Sequence, residues 1–465
     1  MISFWETMDR AYNKGPLMKV EKFDMEVFKK VTELQKKFNI QFDPQIPVPE
    51  DDDLADRVFQ AGVELFLSVG IYNAGSGRII RFDKEELDEA LSELWKLPNS
   101  IFIGEGPERR EFKKRAISDK APPLTIGGFI EDNPNEGRDF VQMYKSVAQE
   151  KLVDGIYYGP APRSSEGRQY SFNTPFEIRA TRQAITWMRE ATRAVGRPGL
   201  HLLDASFSAI GNSISFDERN GLRKTDAVSI PTISELKVNN DLLNRVAVTM
   251  EYGCFRNPFW TSIVGGFAGG PEGAVICSVA SAVNAIMVYQ VPGSGYVMSS
   301  TILINPPITS DRRTYWVRNV SLQALARNTN LICGGGGSLA AGPGTEQQLW
   351  EIAGLASIIS VAGGHIMHGA RKSKLVKPNQ GTGLESRWMA EVARAMGSLS
   401  RREVNDLVNL ILRKFEGQTT PDRADAGYSF EELYDFEKVE VKPEYLEKYH
   451  NVKAELESWG LRFKQ

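Results

Sequence analysis

From Pro123 to about Lys372 the hydrophobic pattern keeps one rhythm, a short apolar run followed by a longer stretch with apolar residues at helical spacing. The short runs predict strands at Leu124-Thr125-Ile126, Gly155-Ile156-Tyr157-Tyr158, Leu200-His201-Leu202-Leu203, Ala227-Val228-Ser229-Ile230, Val246-Ala247-Val248-Thr249-Met250, Tyr296-Val297-Met298-Ser299, Leu331-Ile332-Cys333 and Gly364-His365-Ile366-Met367. Helices are predicted over Pro175–Val195, Ile233–Asn244, Pro271–Tyr289, Arg313–Arg327 and Thr345–Val361, several opened by a Pro or Thr that suits a first turn or an N-cap. A parallel strand needs a crossover to return to the same end of a sheet. Eight strands alternating with helices therefore predict an α/β fold, the (β/α)8 TIM barrel. A doubly wound open sheet is the alternative, but no G-x-G-x-x-G opens a helix after an early strand.

The flanks differ in pattern. Residues 1–120 read as an N-terminal helical extension, with amphipathic stretches over Met25–Phe38, Asp52–Val69 and Lys84–Leu97. It includes a small hairpin, Gly70-Ile71-Tyr72 and Arg78-Ile79-Ile80-Arg81-Phe82, about the turn Asn73-Ala74-Gly75-Ser76-Gly77. The barrel core is assigned to 121–372. Residues 373–465 carry helices at Leu384–Met396 and Arg402–Phe415 and a charged tail, which complete or flank the barrel.

Composition narrows the class of function. A net charge of −3 with 25% charged residues excludes a polybasic binder of nucleic acid or membrane. Three scattered cysteines, Cys254, Cys277 and Cys333, do not make a disulfide framework and fit a reducing cytoplasm. The opening Met1-Ile2-Ser3-Phe4-Trp5-Glu6 lacks the basic and apolar regions of a signal peptide. The most apolar run, Ala274 to Val291, contains serines, Asn284 and Gln290, so it reads as a buried helix. The glycine runs at 265–270 and 334–337 lack the Lys-Ser/Thr of a P-loop and read as tight turns with close backbone approach.

In a TIM barrel the strand C-termini and the loops after them hold the active site. On the strand positions above, the mouth collects Phe129, Tyr157, Tyr158, Asp204, Ser206, Glu251, Tyr252, Cys254, Phe255, Ser299, Ser300, Cys333, Ser338, His365 and His368. Asp204 and Glu251 among aromatics suit acid and base work, or the holding of a cation. The bland alternative is that the aromatics fill the barrel and Glu251 forms a salt bridge. Cys254, Cys333 and His365 or His368 offer soft ligands for zinc, although there is no close Cys pair.

Across nearly its whole length the chain resembles the corrinoid-dependent monomethylamine methyltransferase family of methanogenic archaea. The likeness is carried by Gly70-Ile71-Tyr72 with Arg78-Ile79, Ser118-Asp119-Lys120-Ala121 leading to Gly127-Gly128, Gly196-Arg197-Pro198-Gly199 and Ser206 to Asn212. It continues through Ser234-Glu235-Leu236-Lys237, Gly265-Gly266-Phe267-Ala268-Gly269-Gly270, Ala341-Gly342-Pro343-Gly344-Thr345-Glu346, Thr382-Gly383-Leu384-Glu385 and Glu391-Val392-Ala393-Arg394-Ala395. The resemblance implies methyl transfer from a methylamine to Co(I) of a corrinoid (cobalamin) on a separate small protein, in the one-carbon metabolism of methanogenesis. In that family pyrrolysine holds the amine. Counting back from Gly211-Asn212, its position falls here on Asp204, and the glutamate, glutamine and tyrosine around it fall on Phe259, Gly336 and Ser338.

All four positions have changed together, so the resemblance implies a homologue without pyrrolysine that keeps the barrel and has a rebuilt pocket. The substrate expected is a methylated amine already cationic at nitrogen, in the first place a quaternary one. Asp204 or Glu251 would be its counter-charge, Tyr157, Tyr252, Phe259 or Trp260 its aromatic cage, and Ser206, Gly336 and Ser338 the remaining pocket wall. The corrinoid is expected on a partner protein, because the Asp-x-His-x-x-Gly signature of a lower-ligand histidine is missing, glycine standing at position 363. A cytoplasmic homo-oligomer without metal, nucleic acid or membrane is expected. Two alternatives stay open: a zinc-assisted methyltransferase or lyase, and a non-catalytic barrel that binds a ligand.

Overall fold

The computed structural model describes residues 2–128, 137–159, 168–205, 208–368, 371–374, 377–420 and 422–463. Eight parallel strands close into a barrel: β1 Thr125–Gly127, β2 Gly155–Tyr158, β3 His201–Asp204, β4 Ala227–Pro231, β5 Phe255–Val264, β6 Val297–Leu303, β7 Cys333–Gly335 and β8 His365–Met367, with β8 pairing back to β1. Seven of them overlap the runs that periodicity marks. The helix Gly383–Ala395, which follows β8, packs between Glu346–Val361 and Arg138–Ala148 and completes the outer ring.

The fifth strand is the correction. Val246–Met250, β-branched and apolar enough to read as a strand, lies inside the helix Asn240–Tyr252. Asn239 caps that helix by accepting a hydrogen bond from the Leu242 amide, and Gly253 ends it in the left-handed region at φ 85°. Leu242, Leu243, Arg245, Val246 and Thr249 are its buried face, which is helical spacing. The helix expected over Ile233–Asn244 is replaced at its start by a short strand, Lys237–Val238.

The true fifth strand, β5, alternates. Trp260, Ser262 and Val264 are buried on one face, where the Trp260 indole Nε1–H donates to Ser278 Oγ at 3.0 Å on the helix Pro271–Met287. Phe259, Thr261 and Ile263, on the other face, are only partly covered.

The first 120 residues are stitched to the barrel. Helix Asp52–Val69 packs on Pro271–Met287 and Arg312–Asn328, and a Cβ on Gly62 would lie 2.5 Å from Val279, so only glycine permits that approach. The hairpin Ile71–Asn73 with Arg78–Ile80 takes Lys237–Val238 as a third strand.

A second hairpin, Ser100–Ile103 with Arg110–Lys113, closes the end of the barrel from which the strands start. Its Ile101, Ile103 and Phe112 join Ile126, Leu203, Tyr296 and Ile332 in one apolar cluster inside the barrel. Phe112 is fully buried, with its ring 4.8 Å from Tyr296 and 4.6 Å from His365. Truncating a buried aromatic costs about 3–5 kcal/mol. Phe112→Ala is therefore expected to lower the unfolding free energy by that much, read as a lower urea midpoint at unchanged m-value by tryptophan fluorescence.

Candidate functional site

At the ends where β5 to β8 finish, a cavity of about 190 Å3 is lined by Phe259, Thr261, Met298, Ser299, Ser300, Ile302, Gly336, Gly337, Ser338 and His368. At roughly 30 Å3 per water it has room for about six waters, or one small organic molecule. Phe259, Gly336 and Ser338, three of the four positions singled out by resemblance, thus share one cavity, while the fourth, Asp204, is not in its lining. Its shape depends on backbone contact: a Cβ on Gly336 would lie 2.4 Å from the Met367 carbonyl oxygen and 2.6 Å from that of His368. Ser338 is pinned from behind by Thr309, whose Oγ1 accepts from the Ser338 amide at 3.1 Å and whose amide donates to the Ser338 carbonyl at 2.7 Å.

One wall continues into a chain of polar contacts. The His368 ring lies 5.1 Å from that of Tyr157, and the Tyr157 hydroxyl and Ser229 Oγ share a hydrogen bond of 3.1 Å. Arg245 Nη2 donates to the Ser229 carbonyl at 2.6 Å and Nε to Asn212 Oδ1 at 2.8 Å. Asp204, fully buried at the end of β3, accepts from Asn212 Nδ2 at 2.9 Å and from Ser215 Oγ at 3.3 Å. Burial lowers the Arg245 pKa, and the charges of Asp241 and Asp204 oppose that shift. Asp204 is thereby held close to a cation of the chain's own.

The remaining sequence candidates separate. Glu251 is exposed in the last turn of the helix Asn240–Tyr252, which leads into the start of β5 and so lies at the end of the barrel away from the cavity. Tyr252 is beside it, stacked on Phe216 at 4.3 Å and donating to the Leu222 carbonyl at 2.6 Å. A fifth strand at Val246–Met250 would bring both to the mouth; the helix there carries them to the other end. Trp260 faces the outer helix and is not part of a cage. Phe129 and Ser206 lie outside the described residues.

The zinc set does not assemble either. Cys254 precedes β5, and Cys333 and His365 begin β7 and β8, so these three sit at the plugged end while His368 is at the other. His365 Nδ1 accepts from the Leu124 amide at 3.0 Å, and Nε2 bonds to the Lys113 carbonyl at 2.7 Å. Burial first, then Arg115, pushes its pKa down to about 3, so the ring is neutral with both nitrogens engaged. Burial raises the Cys333 thiol to about 12. Among the described residues no group of three His, Cys, Asp or Glu is placed to hold a metal ion.

Thr261, Met298, Ile302 and Gly337 were not anticipated. Thr261 follows from the alternation of β5 once that strand is placed at Phe255–Val264, Met298 and Ile302 from the alternation of β6, and Gly337 from its place just beyond β7. The lining therefore holds no carboxylate, lysine or arginine, only an aromatic ring, a thioether, hydroxyls, an imidazole and apolar or glycine positions. Such a surface suits a small molecule whose charge needs dipoles and polarisable groups, without a direct ion pair.

A closed parallel barrel with a small enclosed cavity at the strand C-termini and a plug at the opposite end has the layout of a TIM-barrel enzyme. The chain belongs to the monomethylamine methyltransferase MtmB family, whose model it matches over residues 2–461. It is 30% identical to monomethylamine methyltransferase MtmB2 of Methanosarcina acetivorans over 444 residues, 94% of either chain. It is 29% identical to MtmB1 of Methanosarcina barkeri over 441 residues, again 94% of each. The crystal structure of the Methanosarcina barkeri enzyme superposes with a TM-score of 0.93 at 28% identity, covering 99% of this chain and 98% of that one, and a hydroxylamine complex of MtmB matches equally well.

Proposed function

We propose that the protein moves a methyl group from a methylated amine, quaternary at nitrogen, to the Co(I) of a corrinoid carried by a separate protein, without pyrrolysine. The observation that carries the reading is the cavity itself: Phe259, Gly336 and Ser338 meet there, and every lining residue is neutral or an imidazole. An aspartate at 204, already engaged with Asn212 and Ser215, offers no imine on which an amine could be held as an adduct.

A quaternary substrate removes the need for one. When its C–N bond breaks, the electron pair stays on nitrogen and a neutral tertiary amine departs, so no proton has to be delivered. The corrinoid supplies the nucleophile, whose electron pair forms the new bond to the methyl carbon. What remains for this chain is orientation and exclusion of water. Phe259 and Met298 present polarisable faces to the cation, Tyr157 backs His368, and the Ser300 and Ser338 hydroxyls turn to suit the rest of the substrate. Asp204 adds negative potential from behind, moderated by Arg245. A corrin ring does not fit a 190 Å3 chamber, so the partner docks outside, at the end opposite the hairpin plug.

Mixing the protein with reduced corrinoid protein and a panel of methylamines tests this by loss of the Co(I) absorbance and release of the demethylated amine. Tetramethylammonium or a carboxylated quaternary amine is expected to react and monomethylamine to fail. Faster reaction of monomethylamine than of every quaternary amine overturns the quaternary assignment. No reaction with any amine overturns the methyltransferase reading.

A further inference from the structure

A second cavity lies further along the same strands. Phe259, Thr261 and Ile263 are two apart on β5 and share a face, as do Ser300, Ile302 and Ile304 on and just beyond β6. The earlier members line the inner cavity, whereas Ile263 and Ile304 line an outer one of about 590 Å3. Two residues of strand advance about 7 Å. The outer cavity is thus the next compartment outward on the same two strands.

Its walls are apolar and half open. Met25 and Phe28 come from the helix Val20–Lys37, Phe267 from the turn after β5, and with Ile304 they are 48%, 43%, 50% and 59% exposed. Large apolar side chains grouped in this way around one hollow mark a binding surface. One carboxylate lies among them. Glu235 is 6% exposed; its Oε2 accepts a long hydrogen bond from Cys277 Sγ, at 3.9 Å, and its Oε1 has no partner.

Lys237, whose charge acts on Glu235, is ion-paired with Asp24 at 2.5 Å and lies 5.5 Å from the Phe267 ring, which leaves the Phe28 ring and Glu235 to the incoming cation. Burial pushes the Glu235 carboxyl up to about 7, with Lys237 pulling the other way. The neighbouring backbone N–H groups of Ile263 and Ala268 also favour its ionised form, but neither meets hydrogen-bond geometry at Oε1. Two loop segments, Ser234–Lys237 and Gly265–Gly270, contribute Ser234, Glu235, Gly265, Gly266 and Phe267 to this cavity and nothing to the inner one.

An apolar hollow with aromatic faces and one buried, under-satisfied carboxylate discriminates by charge. An anion is repelled, a neutral ligand leaves Glu235 unpaired, and an alkylammonium ion satisfies both the Phe28 ring and the acid. We propose that the outer cavity is an entrance subsite for an organic cation of the alkylammonium class, whose charge Glu235 meets before the molecule passes into the inner chamber. The identity of that cation as substrate rests on the methyltransferase reading; the subsite itself does not. Its use is to concentrate and partly dehydrate the cation ahead of a chamber that offers it no ion pair.

Tetramethylammonium binding to the full chain, read by calorimetry beside steady-state kinetics, separates the two ideas. Phe259→Trp fills the inner chamber and is expected to abolish turnover while retaining cation binding in the outer one. Glu235→Gln is expected to weaken that binding at least tenfold and to raise KM by more than it lowers kcat. Ile304→Lys places a cation on an exposed lip without touching the core, so it keeps the test intact if Glu235→Gln folds poorly, and the same loss is expected. Binding and KM unchanged in Ile304→Lys and in folded Glu235→Gln overturn the subsite and leave the methyltransferase reading standing. Absence of turnover with every amine, together with binding that survives Phe259→Trp and is lost in Ile304→Lys, leaves the subsite standing and removes that reading. No binding of tetramethylammonium to either the native chain or Phe259→Trp overturns the subsite outright.

Discussion

Gly336→Val is expected to lower kcat/KM for the proposed methyl transfer at least 100-fold, about 2.7 kcal/mol of transition-state stabilisation, in a chain that still folds. The obstruction to a side chain here is backbone: carbonyl oxygens of Met367 and His368, 2.4 and 2.6 Å from an added Cβ. Neither can rotate away as a side-chain tip does, so the end of β7 and the segment after β8 must part. That moves His368, which lines the chamber, and puts two methyl groups against a space of only about 190 Å3. Overpacking of this kind costs about 1–3 kcal/mol of stability, which a barrel of this size survives. Gly354→Ala, on the outer helix Glu346–Val361, is the control. Its Cβ would meet the Tyr315 ring and hydroxyl oxygen at 2.9 Å, and no residue of the chamber lining is among its nearest contacts. It is expected to keep activity within about tenfold at a comparable loss of stability. Equal activity losses in the two variants would show that the chamber is not where the chemistry occurs.

The barrel was legible because its strands are buried on both faces and flanked by helices, so short apolar runs between helical periods mark them. The one misplaced barrel strand has a local cause. Val246–Met250 has strand-like composition but sits between an Asn239 cap and a Gly253 stop, and those two end signals outweigh the propensity of the residues between them. Meanwhile β5 was hidden by Arg256, Asn257 and Pro258. Arg256 is tolerated inside because its guanidinium donates to the carbonyls of Tyr289 and Gln290, at 3.1 and 2.5 Å, beyond the end of the next helix. Asn257 donates to the Tyr296 carbonyl at 3.0 Å. Partners more than thirty residues away in sequence leave no local pattern to read.

The error then passed to the site. Shifting the strand brought Glu251 and Tyr252 to the mouth and kept Thr261 and Ile263 from view. Phe259, Gly336 and Ser338 reached the candidate set through resemblance, since nothing in periodicity marks a glycine or a serine as a pocket wall. The plug hairpin at Ser100–Lys113 leaves a weak pattern for another reason: its strands are only four residues each, and in Arg110–Lys113 the charged Glu111 and Lys113 face solvent around Phe112.

Asp204→Ala is expected to destabilise the protein by about 3 kcal/mol, whereas Asp204→Asn separates structure from function. Alanine strands the buried donor Asn212 Nδ2, worth about 1–3 kcal/mol when unsatisfied, and leaves Ser215 Oγ the Gly211 carbonyl at 3.2 Å as its acceptor. It also removes one of the two carboxylates whose charge supports the buried guanidinium of Arg245. Because Asn212 joins Asp204 to Arg245, and Arg245 reaches the Ser229 carbonyl beside Tyr157, the loss propagates to the wall that backs His368. Asparagine retains a side-chain oxygen for Asn212 and the shape of the site while deleting the negative charge. A purely structural Asp204 predicts a stability loss of about 1–2 kcal/mol for the asparagine variant and KM within twofold of the native value. A charge that helps hold the substrate cation predicts a KM raised about tenfold, some 1.4 kcal/mol, against a smaller change in kcat. Urea denaturation and steady-state kinetics on the same preparations distinguish the two, and recovery of the KM by Asp204→Glu in a folded protein marks the charge, not the network, as what the substrate reads.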